Sequence, residues 1–152
     1  MRVPYCTALF AVLAGLAGLA ACGGATAPVK PHSVDINVGP TGAPVENALP
    51  VSTTDITSDG RVAKIRGRVS NPYSEPVDGV RYIVTLRTDS GPGARTLDSF
   101  QEETSVQIAP GSSAMMRLDL QSMYFASASG FSIIAVPRRL GGRDIPPPAG
   151  WK

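Results

Sequence analysis

Residues Arg61 to Val69 read Arg-Val-Ala-Lys-Ile-Arg-Gly-Arg-Val, and residues Val80 to Arg87 read Val-Arg-Tyr-Ile-Val-Thr-Leu-Arg. In the first stretch Ala63, Ile65, Gly67 and Val69 fall on one side of an extended chain, and Val62, Lys64, Arg66 and Arg68 on the other. Successive side chains of a strand point to opposite faces, so this alternation predicts a strand with one face on a core and one in water. The second stretch places Val80, Tyr82, Val84 and Leu86 on one side and Arg81, Ile83, Thr85 and Arg87 on the other. It reads as a second strand.

Turn chemistry separates further strands on either side. Val51 to Thr57 is rich in Thr, Val and Ile, and Ser58-Asp59-Gly60 closes it with a turn. Ser70-Asn71-Pro72 breaks the next strand, and Pro76 ends a loop. Asp89-Ser90-Gly91-Pro92-Gly93 is a turn before Leu97 to Ile108, which alternates more weakly through Phe100, Thr104, Val106 and Ile108. After Pro110-Gly111, Ser113 to Leu120 aligns Ala114, Met116, Leu118 and Leu120, and Phe131 to Val136 is mostly apolar. Gln121 to Ser129 is the one candidate for a helix, and it is short and Ser-rich. Short strands with turn signals about every ten residues predict an all-β antiparallel sandwich or barrel over residues 51–140. The tail, Pro146-Pro147-Pro148-Ala149-Gly150-Trp151-Lys152, favours extended polyproline geometry.

The whole chain has 152 residues, 43% hydrophobic and 17% charged, with a formal net charge of +2. That length suits one domain, and so weak a charge balance argues against a nucleic-acid partner. The apolar residues are concentrated at the start. Met1-Arg2 leads through a short stretch to an unbroken run of apolar residues and Gly from Ala8 to Ala20. A positive start and a short apolar core are the pattern of an export signal, and the run is too short to span a bilayer comfortably. Leu19-Ala20-Ala21-Cys22 at its end resembles the lipobox of bacterial lipoproteins. The resemblance implies cleavage between Ala21 and Cys22, a diacylglyceryl group on the Cys22 thiol and acylation of its freed amine. Cys6 would depart with residues 1–21, leaving no disulfide. Two or three acyl chains hold a protein firmly to a membrane. Gly23 stands where an Asp would favour inner-membrane retention, so the outer membrane, facing the periplasm, is the expected address in an organism that has one. Residues 22–50, punctuated by Pro and Gly, read as a tether, with Val34 to Val38 alternating like a docked edge strand. Residues 141–152 form a Pro-rich tail.

A second resemblance lies within the strands. Gly67-Arg68-Val69-Ser70-Asn71-Pro72 runs into Glu75-Pro76-Val77-Asp78-Gly79-Val80, then Val84-Thr85-Leu86, Asp89-Ser90-Gly91 and Ala109-Pro110-Gly111. Together these resemble the FxLYD-type immunoglobulin-like domains of bacterial envelope proteins, with Val84 and Arg87 in place of the name-giving Phe and Tyr. The resemblance implies a small antiparallel immunoglobulin-like β-sandwich, no enzymatic activity and no fixed ligand.

No Walker loop, G-x-S-x-G, C-x-x-C or H-E-x-x-H motif occurs. Glu102 and Glu103 are adjacent in a predicted strand and would face opposite ways, which is poor geometry for shared acid–base work. His32 is the single histidine and lies in the tether. Neither a catalytic set, a metal site nor a cofactor is expected. Thioethers bind Cu(I), but Met115 and Met116 would face opposite sides, and Met116 reads as core filler beside Leu118. Lys64, Arg66 and Arg68 form a basic stripe, with Arg81 and Arg87 adding to it only if both strands share a sheet. Such a stripe suits anionic lipid or glycan, or blunts an exposed strand against aggregation. The functional expectation is a membrane-anchored, non-enzymatic envelope lipoprotein with a protein-interaction or structural module. An anionic lipid or glycan binder is the alternative, and a small envelope enzyme ranks last.

Overall fold

The structure, a computed structural model, describes residues 33–39, 42–89 and 93–152. Ala21, Cys22, the rest of the export segment, His32 and Ser90-Gly91-Pro92 lie outside the described residues.

Eight strands occur among the described residues, and no helix. They are β1 (Ser33–Ile36), β2 (Val51–Ser58), β3 (Val62–Ser70), β4 (Val77–Arg87), β5 (Thr96–Ile108), β6 (Ser113–Gln121), β7 (Gly130–Leu140) and β8 (Arg143–Asp144). They form two packed sheets, a small β-sandwich. One sheet has the order β2-β3-β6, the other β1-β7-β4-β5 with β8 also on β7. Their inner faces carry the predicted residues: Ala63, Ile65 and Val69 from β3, Val80, Tyr82, Val84 and Leu86 from β4, and Met116, Leu118 and Leu120 from β6, all buried in one cluster. Burial pushes the Tyr82 hydroxyl up to about 12, offset in part by a hydrogen bond with Thr104. Of the stretch Gln121 to Ser129, Gln121 ends β6 and residues 122–129 carry turns instead of a helix. This loop drops Phe125 into the core, where its ring stacks on Phe100 and on Phe131, each with centroids 6.0 Å apart.

Two turn residues explain much of the local geometry. Asp59 Oδ1 accepts the backbone N–H groups of Arg61 and Val62 at 2.9 and 2.7 Å. Those two bonds hold its carboxyl below the usual carboxylate range. Gly60 beside it has φ +91°, which Gly adopts without a Cβ clash. At the opposite end of the sandwich, Asn71 is 1% exposed and staples the loop between β3 and β4 to the end of β5. Its Nδ2 donates to the carbonyls of Glu75 and Ile108, and its Oδ1 accepts the N–H of Tyr73. Gly67 has a separate reason: a Cβ there would stand 2.3 Å from the Ser52 carbonyl oxygen, so only Gly lets β2 approach. The Gly67-x-Val69-x-Asn71 segment is thus close approach, core contact and staple in turn.

The sandwich extends beyond residues 51–140 at both ends. Residues 33–39 and 42–50, read from their Pro and Gly as part of a tether, enter the fold. Ser33–Ile36 pairs with Gly130–Ile133 in parallel, which departs from a purely antiparallel sheet. Asn37 then turns the chain with φ +54°, a conformation Asn tolerates better than most residues. Its side chain continues the ladder, Oδ1 accepting the Ala135 N–H and Nδ2 donating to the Leu49 carbonyl. Leu49 is fully buried. The Pro-rich tail folds back as well: Ile145 N–H donates to the Arg138 carbonyl, and Trp151 packs on Ile83, Ile134 and Val136. Pro and Gly exclude helix and weaken ladders, but they do not prevent docking on an apolar face.

Candidate functional site

The two sheets present different outer faces. On the β2-β3-β6 sheet, Lys64, Arg66 and Arg68 stand together on the outer side, as their alternation predicts. In register they meet Asp119, Arg117 and Met115 of β6, and Thr57, Asp55 and Ser52 of β2. Arg66 Nη2 lies 2.6 Å from Asp119 Oδ1, and its Nη1 donates to the carbonyls of Ile65 and Leu118 at 3.1 Å. Arg66 is therefore partly tied down. Lys64 and Arg68 are exposed, as is Arg117, a fourth cation directly across from Arg66 that the basic stripe did not include. Met115 is 56% exposed on the same face, whereas Met116 is 1% exposed in the core.

Arg81 and Arg87 do not join this stripe, because β4 belongs to the other sheet. Arg81 donates through Nε to Glu103 Oε2 at 3.2 Å and through Nη1 to the Ile145 carbonyl at 2.7 Å, and it lies 5.8 Å from the centroid of the Trp151 ring. Glu103 also pairs with Arg138, while Glu102 faces Tyr82 in register and is exposed. The two glutamates thus do not act as a pair. Arg87 is buried beside Asp35 at 3.3 Å, and its Nε finds no hydrogen-bond partner among the described residues.

A cleft of about 150 Å³ opens above β4 and β7 between Val38-Gly39 and the tail residues Ala149-Gly150. Ile83, Ile134 and Val38 supply apolar surface to it, and Thr85, Ser99 and Arg87 supply polar groups. A neighbouring space of about 330 Å³ lies between Val45 and Asn47 on one side and Pro146 to Pro148 on the other. Gln101 holds the tail beside the cleft, donating from Nε2 to the Gly150 carbonyl and accepting the Lys152 N–H at Oε1, both at 2.9 Å. An apolar floor with hydroxyls at its margin suits an extended peptide or a small polar ligand. Sequence reasoning missed Gln101, Asp35 and this cleft. The alternation of Val34 to Val38 was the one signal, and it marked a strand without its partner. Among the described residues no group of three or more His, Cys, Asp or Glu side chains is placed to hold a metal ion.

Compared with known proteins, the chain matches no family model, and a search of curated proteins finds no match.

Proposed function

We propose that this chain is a bacterial cell-envelope lipoprotein, anchored through Cys22, whose immunoglobulin-like sandwich serves as a non-enzymatic protein-interaction or structural module. The observation that carries this reading is Leu19-Ala20-Ala21-Cys22 at the end of an apolar run, followed eleven residues later by the first strand of a folded domain. An extended chain of that length reaches no more than about 40 Å, so the domain works close to its anchor. The cleft between Val38-Gly39 and the C-terminal tail is the interaction site this reading favours.

Mass spectrometry of the protein from membranes tests the anchor. Diacylglyceryl on Cys22 is expected, and Cys22→Ser should abolish it; an unmodified N-terminus elsewhere overturns the anchor. Cross-linking in cells tests the module. A partner captured by the parent chain and released by Ser99→Trp, a bulky change at the cleft margin, supports it. A partner retained by Ser99→Trp places the interaction elsewhere, and no partner in either strain counts against an interaction role.

A further inference from the structure

We infer that the outer face of β2-β3-β6, with the loop between β6 and β7, docks on anionic membrane lipid. Three independent features coincide there. The first is the distribution of ion pairs. On the larger sheet every arginine of β4, β7 and β8 has a carboxylate partner: Arg81 with Glu103, Arg87 with Asp35, Arg138 with Asp78 and Glu103, Arg139 with Asp144, and Arg143 with Glu75. On the smaller sheet Arg66 pairs with Asp119, whereas Lys64, Arg68 and Arg117 form no ion pair among the described residues. Asp55, Asp59 and Asp98 are the other acids near this surface: Asp59 is committed to its turn, with Lys64 adding only a weaker electrostatic pull, and Asp98 Oδ2 accepts the Ser122 hydroxyl at 2.6 Å beside the loop. Arg117 stands directly across from Arg66, whose charge Asp119 already balances, so Arg117 adds a further cation to this face.

The second feature is apolar. The exposed large hydrophobic side chains of the described residues are Met115, Met123 and Tyr124, at 56%, 78% and 42%. Met115 sits among the cations in register with Arg68, and Met123 shares a shallow hollow with Arg61, Val62 and Gln121 at the end of the same face. Cations with protruding apolar side chains match a headgroup layer over hydrocarbon better than they match a soluble polyanion.

The third is position. Ser33, where the described chain begins, pairs with Gly130, the first residue of β7. The loop carrying Met123 and Tyr124 leads directly into Gly130, and Gly60, next to Arg61, lies against Ala126 of that loop. The proposed anchor therefore leads into the end of the sandwich that bears Arg61 and Met123. The choice of a membrane rests on the anchor reading above, but its test does not require acylation.

The chain from Gly23 onward contains every strand of both sheets, and its cooperative unfolding is checked first. It is then sedimented with vesicles of phosphatidylcholine alone and of phosphatidylcholine with 30% phosphatidylglycerol, a composition chosen as roughly that of an anionic surface. Binding is expected only to the anionic vesicles, and it should weaken with salt. Each cation near such a surface is worth about fivefold in affinity, so Lys64→Ala/Arg68→Ala/Arg117→Ala should weaken binding about a hundredfold. Met115→Ser/Met123→Ser should weaken it several-fold, and Arg143→Ala, on the other sheet, should leave it unchanged. Equal binding to both vesicle types overturns the proposal. So does a triple variant that binds like the parent, or a soluble polyanion such as heparin that competes while the methionine variant binds normally. An unmodified Cys22 with intact vesicle binding would remove the anchor and leave this face standing.

Discussion

Strands β3 and β7 are both central in their sheets, and both alternate about the same core, yet their outer sides differ. Along β3 buried positions alternate with exposed or half-exposed ones, and the outward side chains are Val62, Lys64, Arg66, Arg68 and Ser70. Along β7 every residue from Gly130 to Pro137 is buried. The difference arises outside the strands. Residues 38–39 and 43–47 and the tail from Ile145 to Trp151 lie over the outer side of β4 and β7, so Ile83, Ile134 and Val136 become a second, small apolar cluster. No segment among the described residues covers the outer side of β3, and its charges remain in water. A strand's pattern thus records whether a face is apolar, while the chain that returns across it determines whether that face is buried or free to meet a partner.

The largest effect should come from the inner side that both sheets share. Ile65 is fully buried, and Ile65→Ala should cost about 2–5 kcal/mol in chemical denaturation. A loss under 1 kcal/mol would mean that the smaller sheet contributes little to the core. Next is an alkaline effect at Tyr82 on the facing sheet. Its hydroxyl is held up to about 12 when folded and ionises near 10 when unfolded. The unfolded chain loses its proton first, so stability is full below about pH 10 and falls as pH rises toward 12, by up to about 3 kcal/mol. Tyr82→Phe should remove that part of the slope; an unchanged pH profile would assign the alkaline loss to other groups.

A smaller effect should mark the covered face. Ending the chain after Asp144 removes the Trp151 packing and the Gln101 and Arg81 bonds to the tail, and should lower stability by about 1–2 kcal/mol. No change in the denaturation midpoint would show that the tail rests on the sheet without supporting it. The smallest effect belongs to the open face. Lys64→Ala and Arg68→Ala should each shift stability by less than about 0.5 kcal/mol, because neither side chain is buried or ion-paired. A loss above 1 kcal/mol would give the stripe a structural role and weaken its assignment to binding.

Much of the fold is legible in the sequence for a local reason. The six strands from Val51 to Val136, and the inward residues of β3, β4 and β6, follow from period-two alternation between Gly- and Pro-containing turns. Lys64, Arg66 and Arg68 share a face for the same reason. Asn71 could be read as a strand breaker, but its staple required the carbonyl of Ile108, which is 37 residues away. Arg81 and Arg87 could join the stripe only if β3 and β4 shared a sheet, which alternation along each strand does not reveal, and β4 lies in the other sheet. Their neutralising partners, Glu103 and Asp35, lie 22 and 52 residues away, beyond any local pattern.

The sequence by itself determined where the chain extends, where it turns and which sides of the strands are apolar, because these depend on neighbouring residues and on the alternation of side chains. The tertiary structure decided that β1 pairs in parallel with β7, that the Pro- and Gly-rich segments dock, and that one cationic face is neutralised while the other stays open. Those outcomes depend on which distant segments return to the same sheet, and the hydrogen bonds that fix them join residues such as Asn37 with Ala135 and Gln101 with Gly150.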